Sequence, residues 1–177
     1  MRTGNGTRPA ICRTIVAMPA APTELVTFLS PYPPEVRELF LDGRSFLLRR
    51  LRPVVELHYD ATTAVGAGFS YTGDLRGLFV NFAAFADHVT LVFMWGVKLK
   101  DRERRLRGEG KQVRHMRLAS METLRDPYVL DLIDQAAANA PRPEGKVKHS
   151  IVVKIYKGPK RRPAPAKTDK PRKTPRR

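Results

Sequence analysis

Four short runs of β-branched and aromatic residues, separated by turn-forming residues, limit what this chain can fold into. The runs are VVELHY (54–59), GAGFSY (66–71), GLFVNF (77–82) and HVTLVFMW (88–95). Their lengths and compositions are typical of β-strands. The links between them are too short for a crossover helix, so consecutive strands are expected to pair antiparallel. After a charged segment, QVRHMRL (112–118) predicts a fifth strand.

Helical patterns lie on both sides of these strands. Thr23 can cap a short first helix, and Pro34 suits the first turn of a second, whose apolar residues recur at helical spacing. Gly43 interrupts this second pattern, and we interpret it as a kink or a site of close packing. Asp126 and Pro127 predict the start of a last helix. We therefore expect an α+β fold: an about five-stranded, mainly antiparallel sheet packed with N-terminal and C-terminal helices.

Charge is distributed unevenly along the chain. The net charge is +16, yet residues 24–139 carry 16 Lys/Arg and 15 Asp/Glu. Residues 140–177 carry 14 Lys/Arg and two acids, so most of the basicity lies after the predicted domain. Within the domain, residues 98–117 hold nine Lys/Arg and three acids. Two interpretations stay open for that segment: a solvated stretch with local ion pairs, or a basic rim beside an anion site.

The N-terminal residues 1–22 precede the predicted domain, which spans 23–139. We interpret residues 1–22 as a disordered lead, with Met18 as an alternative translation start. Arg13 interrupts the only apolar stretch there, so no secretory signal is expected. No apolar run in the chain reaches membrane-spanning length. A single cysteine, Cys12, excludes an internal disulfide and fits a reducing compartment, so we expect a cytoplasmic protein.

The C-terminal residues divide into an extended segment and a basic tail. We interpret residues 140–156 as an extended segment that can add a strand, because IVVKI (151–155) is β-branched. Residues 157–177 contain no large apolar side chain, which predicts disorder. Such a tail attracts nucleic acid or another polyanion without reading sequence. A tail that only confers solubility, or one that meets an anionic membrane surface, is the alternative. The predicted polyanion contacts are Lys160, Arg161, Arg162, Lys170, Arg172, Lys173, Arg176 and Arg177.

The stretch RGEGKQVRHMRL (107–118) is a candidate anion-binding segment. It is not a P-loop, because that motif requires glycine where Arg105 stands and serine or threonine where Gln112 stands. Gly108 and Gly110 can supply positive φ for a turn into the fifth strand. Strand alternation should place Arg114 on one face and His115 and Arg117 on the other. The anion-binding candidates are Lys111, Arg114, His115 and Arg117.

Evidence for catalysis or metal binding is weaker in this sequence. Glu56, His58 and Asp60 fall on one face of the first strand, a set that could hold a metal such as iron. Polar residues on a strand commonly face solvent, which is the simpler interpretation. Ser70 and Ser120 lack the Gly-x-Ser-x-Gly elbow of hydrolases. No catalytic residue and no resident cofactor are therefore predicted.

Several motifs resemble, in order, the YdhG-like family, also called domain of unknown function 1801. They are YPPEVRELFLDGRSFLLR (32–49), VELHYDATTAVGAGFS (55–70), HVTLVF (88–93), GEGKQVRHMRL (108–118) and YVLDLIDQA (128–136). The resemblance covers roughly residues 23–138 and implies a compact α+β domain. It implies no established chemistry, although some members are described as iron chaperones with a frataxin-like role. The basic tail lies outside the family pattern.

Together these observations predict a non-enzymatic binding module whose tail attracts DNA or RNA nonspecifically. One alternative is an enzyme or carrier for a small anionic metabolite that uses Lys111, Arg114 and His115. A second alternative is an iron carrier.

Overall fold

A computed structural model of the chain describes residues 20–155, which form four α-helices, one 3₁₀ turn and six strands. The helices are α1 (Thr23–Leu29), α2 (Pro34–Leu51), α3 (Met121–Arg125) and α4 (Pro127–Ala138), and the 3₁₀ turn is Gly96–Lys98. The strands are β1 (Val55–Asp60), β2 (Val65–Ser70), β3 (Leu78–Ala84), β4 (Val89–Phe93), β5 (Arg114–Leu118) and β6 (Ser150–Ile155). The predicted α+β fold is confirmed.

Two of the helix starts follow the predicted local signals. The predicted cap at Thr23 is wrong, because Pro22 holds the cap position of α1 and Thr23 is already its first helical residue, with no side-chain capping hydrogen bond. Pro34 is the first residue of α2, where a missing backbone N–H costs no helical hydrogen bond. Asp126 caps α4, and its side chain accepts a hydrogen bond of 2.9 Å from the backbone N–H of Tyr128. Both helices bury one apolar stripe against the sheet. The short helix α3 was not predicted, because five residues are too few for a periodic pattern.

The sheet has the strand order β5-β4-β3-β2-β1-β6. Strands β1 to β5 form an antiparallel meander. The short links predict this for β1 to β4, whereas β5 follows β4 after the longer segment 94–113. The predicted number of about five strands is exceeded, because residues 150–155 return along β1 and pair with it in parallel. The extended segment over 140–156 therefore contributes an added edge strand, in agreement with its β-branched sequence.

The four helices cover one face of the sheet, here called the inner face. Strand residues such as Phe69, Phe82, Leu91 and Met116 are buried there among the helices. The opposite, outer face carries small or polar residues in the middle strands. Ring atoms of Tyr59 lie over Gly66, where an added Cβ would be 2.7 Å from Cδ2 of the tyrosine. The outer face is thus free of helices and holds the candidate site.

In the part of the chain that the structure covers, no helix has the length and apolar character needed to cross a membrane. The predictions for the N-terminal lead, for the start at Met18 and for the basic tail concern residues that lie outside 20–155, apart from Ala20, Ala21 and Pro22.

Candidate anion-binding cavity

Strand β5 divides its basic residues between the two faces of the sheet, as the alternation predicts. Met116 and Leu118 are buried on the inner face, with 6% and 2% of their surface exposed. His115 and Arg117 are exposed on the outer face. The cross-strand register sets them beside β4, with Arg117 opposite Thr90 and His115 opposite Val92.

Arg107 joins these residues although it lies eight positions before His115. Its backbone N–H donates to the carbonyl oxygen of His115 at 2.7 Å, and the N–H of His115 donates to the carbonyl of Arg107 at 2.9 Å. This isolated bridge covers part of the free edge of β5. Gly108 follows with φ of +117°, which only glycine adopts readily, and the chain turns back toward β5. Positive φ is confirmed for Gly108 and is wrong for Gly110.

A cavity of about 330 Å³ opens on the outer face at this place. Its basic lining residues are Arg107, His115 and Arg117, and its apolar lining residues are Phe85 and Val92. The lining is completed by His88 and Thr90. The ring of His88 stacks on Phe85 with 5.0 Å between centroids, so the link between β3 and β4 forms one wall.

One acid borders the cavity without neutralising it. Asp87 lies 2.6 Å from Nδ1 of His88 through Oδ1 and 3.4 Å from Nη2 of Arg117 through Oδ2. The hydrogen bond with His88, helped by the charges of His88 and Arg117, lowers the pKa of the Asp87 carboxyl. No acid among residues 20–155 forms an ion pair with Arg107. Of the two guanidinium groups, only that of Arg117 is therefore paired with a carboxylate of residues 20–155.

The other two anion-binding candidates lie elsewhere. Nη1 of Arg114 donates to the carbonyl oxygens of Gly110 at 2.7 Å and Val113 at 2.8 Å, so this side chain closes the turn before β5. Lys111 is exposed in that turn and does not line the cavity. Alternation and the turn therefore separate Arg114 and Lys111 from His115 and Arg117 on the outer face.

Sequence reasoning missed Arg107, His88 and Phe85. His88 could have been found, because it lies in a short link between antiparallel strands and must come near the end of β5. Arg107 gave no such signal, because its bridge to β5 depends on the course of the preceding loop.

That loop is organised by Asp101. Its Oδ1 accepts hydrogen bonds from the backbone N–H of Arg105 at 3.0 Å and from the hydroxyl of Tyr128 at 2.6 Å, and its Oδ2 accepts from the N–H of Leu106 at 3.0 Å. Burial raises the pKa of Asp101, but these hydrogen bonds outweigh it and the pKa is lowered. Arg105 also bonds Asp126 at the start of α4. The predicted local ion pairs are present, and they anchor the loop that carries Arg107.

The proposed metal residues share one strand face, as predicted, but that face is the inner one. Glu56 and His58 are completely buried, and Asp60 is 5% exposed. Nε of Arg44 donates to Oε2 of Glu56 at 2.7 Å and its Nη2 donates to Oε1 at 3.0 Å, so both carboxylate oxygens are engaged. Nε2 of His58 lies 3.0 Å from the same Oε2. The outward orientation expected of polar strand residues is wrong, because the buried arginine on α2 compensates the carboxylate.

Within residues 20–155, no group of three His, Cys, Asp or Glu side chains is arranged to hold a metal ion. The candidate site is therefore the outer-face cavity, where two guanidinium groups and an imidazole adjoin an apolar wall. Comparison of the chain with protein-family models, with curated proteins and with solved structures finds no match.

Proposed function

We propose that the domain is a non-enzymatic binding module that holds a small anionic ligand in the outer-face cavity. The observation that carries this proposal is the shared lining of Arg107, His115 and Arg117. Guanidinium groups bind carboxylate and phosphate oxygens through paired, charge-assisted hydrogen bonds. The cavity volume of about 330 Å³ fits a small metabolite.

The apolar wall narrows the class of ligand. Phe85 and Val92 line the same cavity as the arginines and offer carbon surface, so a bare inorganic ion would leave this surface unused. An anion with a flat or apolar body can fill the cavity with its charged group directed at the arginines. We therefore expect phenyl phosphate to bind more tightly than inorganic phosphate.

Arg107→Ala and Arg117→Ala are each expected to weaken binding of phenyl phosphate by at least about tenfold, since a hydrogen bond to a charged group contributes about 1.5–3 kcal/mol. Isothermal titration calorimetry of the full chain measures this loss. Arg102→Ala is the matched control, because Arg102 is exposed in the same loop and does not line the cavity. Equal affinities for all four proteins would contradict the proposal.

The C-terminal tail supports a second component of function, nonspecific attraction to nucleic acid or another polyanion. Residues 157–177 contain ten Lys/Arg and a single acid, Asp169. Cations spaced along such a segment displace counterions from a phosphate backbone, which gives affinity without base recognition.

Removal of residues 157–177 is expected to lower the affinity for double-stranded DNA by about tenfold or more and to flatten its salt dependence. The melting temperature should stay nearly unchanged, because that segment contains no large apolar side chain that could contribute to the core. Fluorescence polarisation at several salt concentrations measures both effects. A chain of the same length, in which the eight predicted contact residues are changed to Gln, distinguishes the effect of the tail's charge on DNA affinity from the effect of its length. Unchanged affinity and slope in this variant would remove the tail from the function.

The alternatives have less support. An enzyme or carrier built on Lys111, Arg114 and His115 requires groups that lie in different places. An iron carrier stays a prediction from the family resemblance, as does membership of the YdhG-like family itself, whose expected α+β architecture agrees with this fold.

A further inference from the structure

Exposed apolar side chains collect at one end of the sheet. Among the described residues, the large hydrophobic side chains with the greatest exposure are Val26, Leu75, Trp95 and Val97. Leu75 belongs to the link between β2 and β3, whereas Trp95 and Val97 follow β4. Leu75 and Trp95 line one cavity, and the N–H of Val97 donates to the carbonyl of Gln112, which lines the same cavity. Single exposed apolar residues are common, but a cluster marks an interaction surface.

Trp95 lies between two cavities, and Arg76 borders both of them. One cavity of about 320 Å³ is bordered by Leu75, Arg76 and Trp95, and another of about 250 Å³ by Arg76, Trp95 and Lys98. Nζ of Lys98 lies 4.8 Å from the centroid of the indole ring. We call Leu75, Arg76, Trp95, Val97 and Lys98 the tryptophan patch.

The backbone that carries Trp95, Val97 and Lys98 is held in a fixed position. The 3₁₀ turn after Trp95 is closed by hydrogen bonds from the N–H of Lys98 to Trp95 and from that of Leu99 to Gly96. A Cβ on Gly96 would lie 2.8 Å from the backbone nitrogen of Arg114, so this turn lies directly against β5. A side chain presented by such a turn is ordered before a partner arrives, which lowers the entropic cost of binding.

The charge of the tryptophan patch has one sign. Arg76 and Lys98 are exposed, and neither forms an ion pair with an acid of residues 20–155. The adjacent Asp74 is exposed, and its Oδ1 accepts hydrogen bonds from the N–H of Gly77 at 2.7 Å and the hydroxyl of Thr72 at 3.2 Å. The hydrogen bond from Gly77 and, to a smaller extent, the charge of Arg76 lower the pKa of the Asp74 carboxyl, so this acid offsets part of the positive charge beside the patch. An acidic partner with flat apolar groups would complement this surface.

We propose that the tryptophan patch binds single-stranded nucleic acid, with a base that takes the place of the Lys98 ammonium over the Trp95 ring and neighbouring phosphates at Arg76 and Lys98. Aromatic side chains beside cations are the common means of holding unpaired bases. Bases of a duplex are stacked on one another and cannot reach the indole. This inference rests on the proposed attraction of the chain to nucleic acid and adds a preference for single strands, which a tail without aromatic residues cannot supply.

The experiment uses the intrinsic fluorescence of Trp95, because the chain contains one tryptophan. Titration of the full chain with a short oligothymidylate is expected to quench the emission, whereas a duplex of equal length leaves it nearly unchanged. Arg76→Ala and Lys98→Ala should each raise the dissociation constant about fivefold to tenfold. Arg49→Ala is the control, because Arg49 is exposed on α2 and is not one of the residues of the patch.

A labelled oligothymidylate followed by fluorescence polarisation separates this proposal from that for the tail. If the strand binds while the Trp95 emission and the affinity of Trp95→Leu stay unchanged, the attraction by the tail stands and the role of the patch is refuted. If the strand does not bind at all, both proposals fail. If polyglutamate or phosphatidylserine vesicles quench the Trp95 emission as strongly as oligothymidylate does, the proposal for the tryptophan patch is also overturned, because the partner would then be an acidic peptide or a lipid surface.

Discussion

Glu56→Gln is expected to lower the free energy of unfolding by about 3–5 kcal/mol, because it leaves the buried guanidinium of Arg44 without a counter-charge. Arg44 is 1% exposed and Glu56 is completely buried, so water cannot solvate the remaining charge. The two side chains connect α2 to β1 through two hydrogen bonds of 2.7 and 3.0 Å. Urea denaturation followed by circular dichroism measures the loss.

Two further variants test whether the loss arises from the uncompensated buried charge of Arg44 or only from the lost attraction between the two side chains. Arg44→Met combined with Glu56→Leu should recover part of the stability, because well-packed apolar residues often replace a buried pair without loss. The recovery is not complete, because Nε2 of the buried His58 loses its hydrogen bond with Glu56. Asp134→Asn is the matched control, since Asp134 also receives two hydrogen bonds from one arginine, Arg50, but is 54% exposed. An exposed pair of this kind contributes about 1 kcal/mol or less. Equal losses for Glu56→Gln and Asp134→Asn would contradict the prediction.

The same pair makes stability depend on pH in the acid range. Burial raises the pKa of the Glu56 carboxyl, but the hydrogen bond with His58 and the charge of Arg44 outweigh it and the pKa is lowered. A lowered pKa in the folded state means that the stabilisation is fully present above the unfolded value of about 4.3 and is lost as the pH falls through the folded value. The apolar double variant should lose less stability than the wild type over that acid interval.

Gly43→Ala is expected to lower the free energy of unfolding by about 1–2 kcal/mol, although alanine favours a helix over glycine by about 1 kcal/mol. A Cβ at this position would lie 2.7 Å from Cζ of Phe82. The Phe82 ring cannot move aside easily, because it is fully buried and packs edge-on against Phe40 with 6.1 Å between centroids. Helix α2 lies this close to β3 only because residue 43 lacks a side chain.

Asp42→Ala is the control for Gly43→Ala, because Asp42 is exposed on the same helix and its replacement should change stability by less than about 0.5 kcal/mol. Phe82→Leu in the Gly43→Ala background should recover part of the loss by making room for the new methyl group. A more stable Gly43→Ala protein would show that the helix gains more from alanine than the contact with Phe82 costs.

Local sequence signals predicted most of the fold. Pro34, Asp126 and the alternation of β5 act within a few residues of where they stand, so the chain need not be folded to interpret them. Gly43 was predicted to mark a kink or close packing, and Phe82 shows that it is close packing. The direction of the Glu56 face was not predictable in this way, because it depends on Arg44 of another element.

The candidate site was likewise predictable only where local sequence determines it. His115 and Arg117 could be placed on one face from the strand period alone. Their neighbour Arg107 reaches them through a loop whose course is set by Asp101 and its bond to Tyr128 on α4. A contact that depends on three separate segments leaves no periodic trace in the sequence.

The strand order has a consequence for how the two proposed anion-binding regions can act together. Strands β5 and β6 form opposite edges of the sheet, and five strand spacings of about 4.8 Å separate them by roughly 24 Å. The cavity lies at the first edge, and the basic residues 157–177 continue from the second. A small ligand in the cavity therefore leaves the attachment point of the tail unobstructed. Binding of a small ligand in the cavity and binding of a polyanion by the tail should then be independent, and the two binding free energies should add.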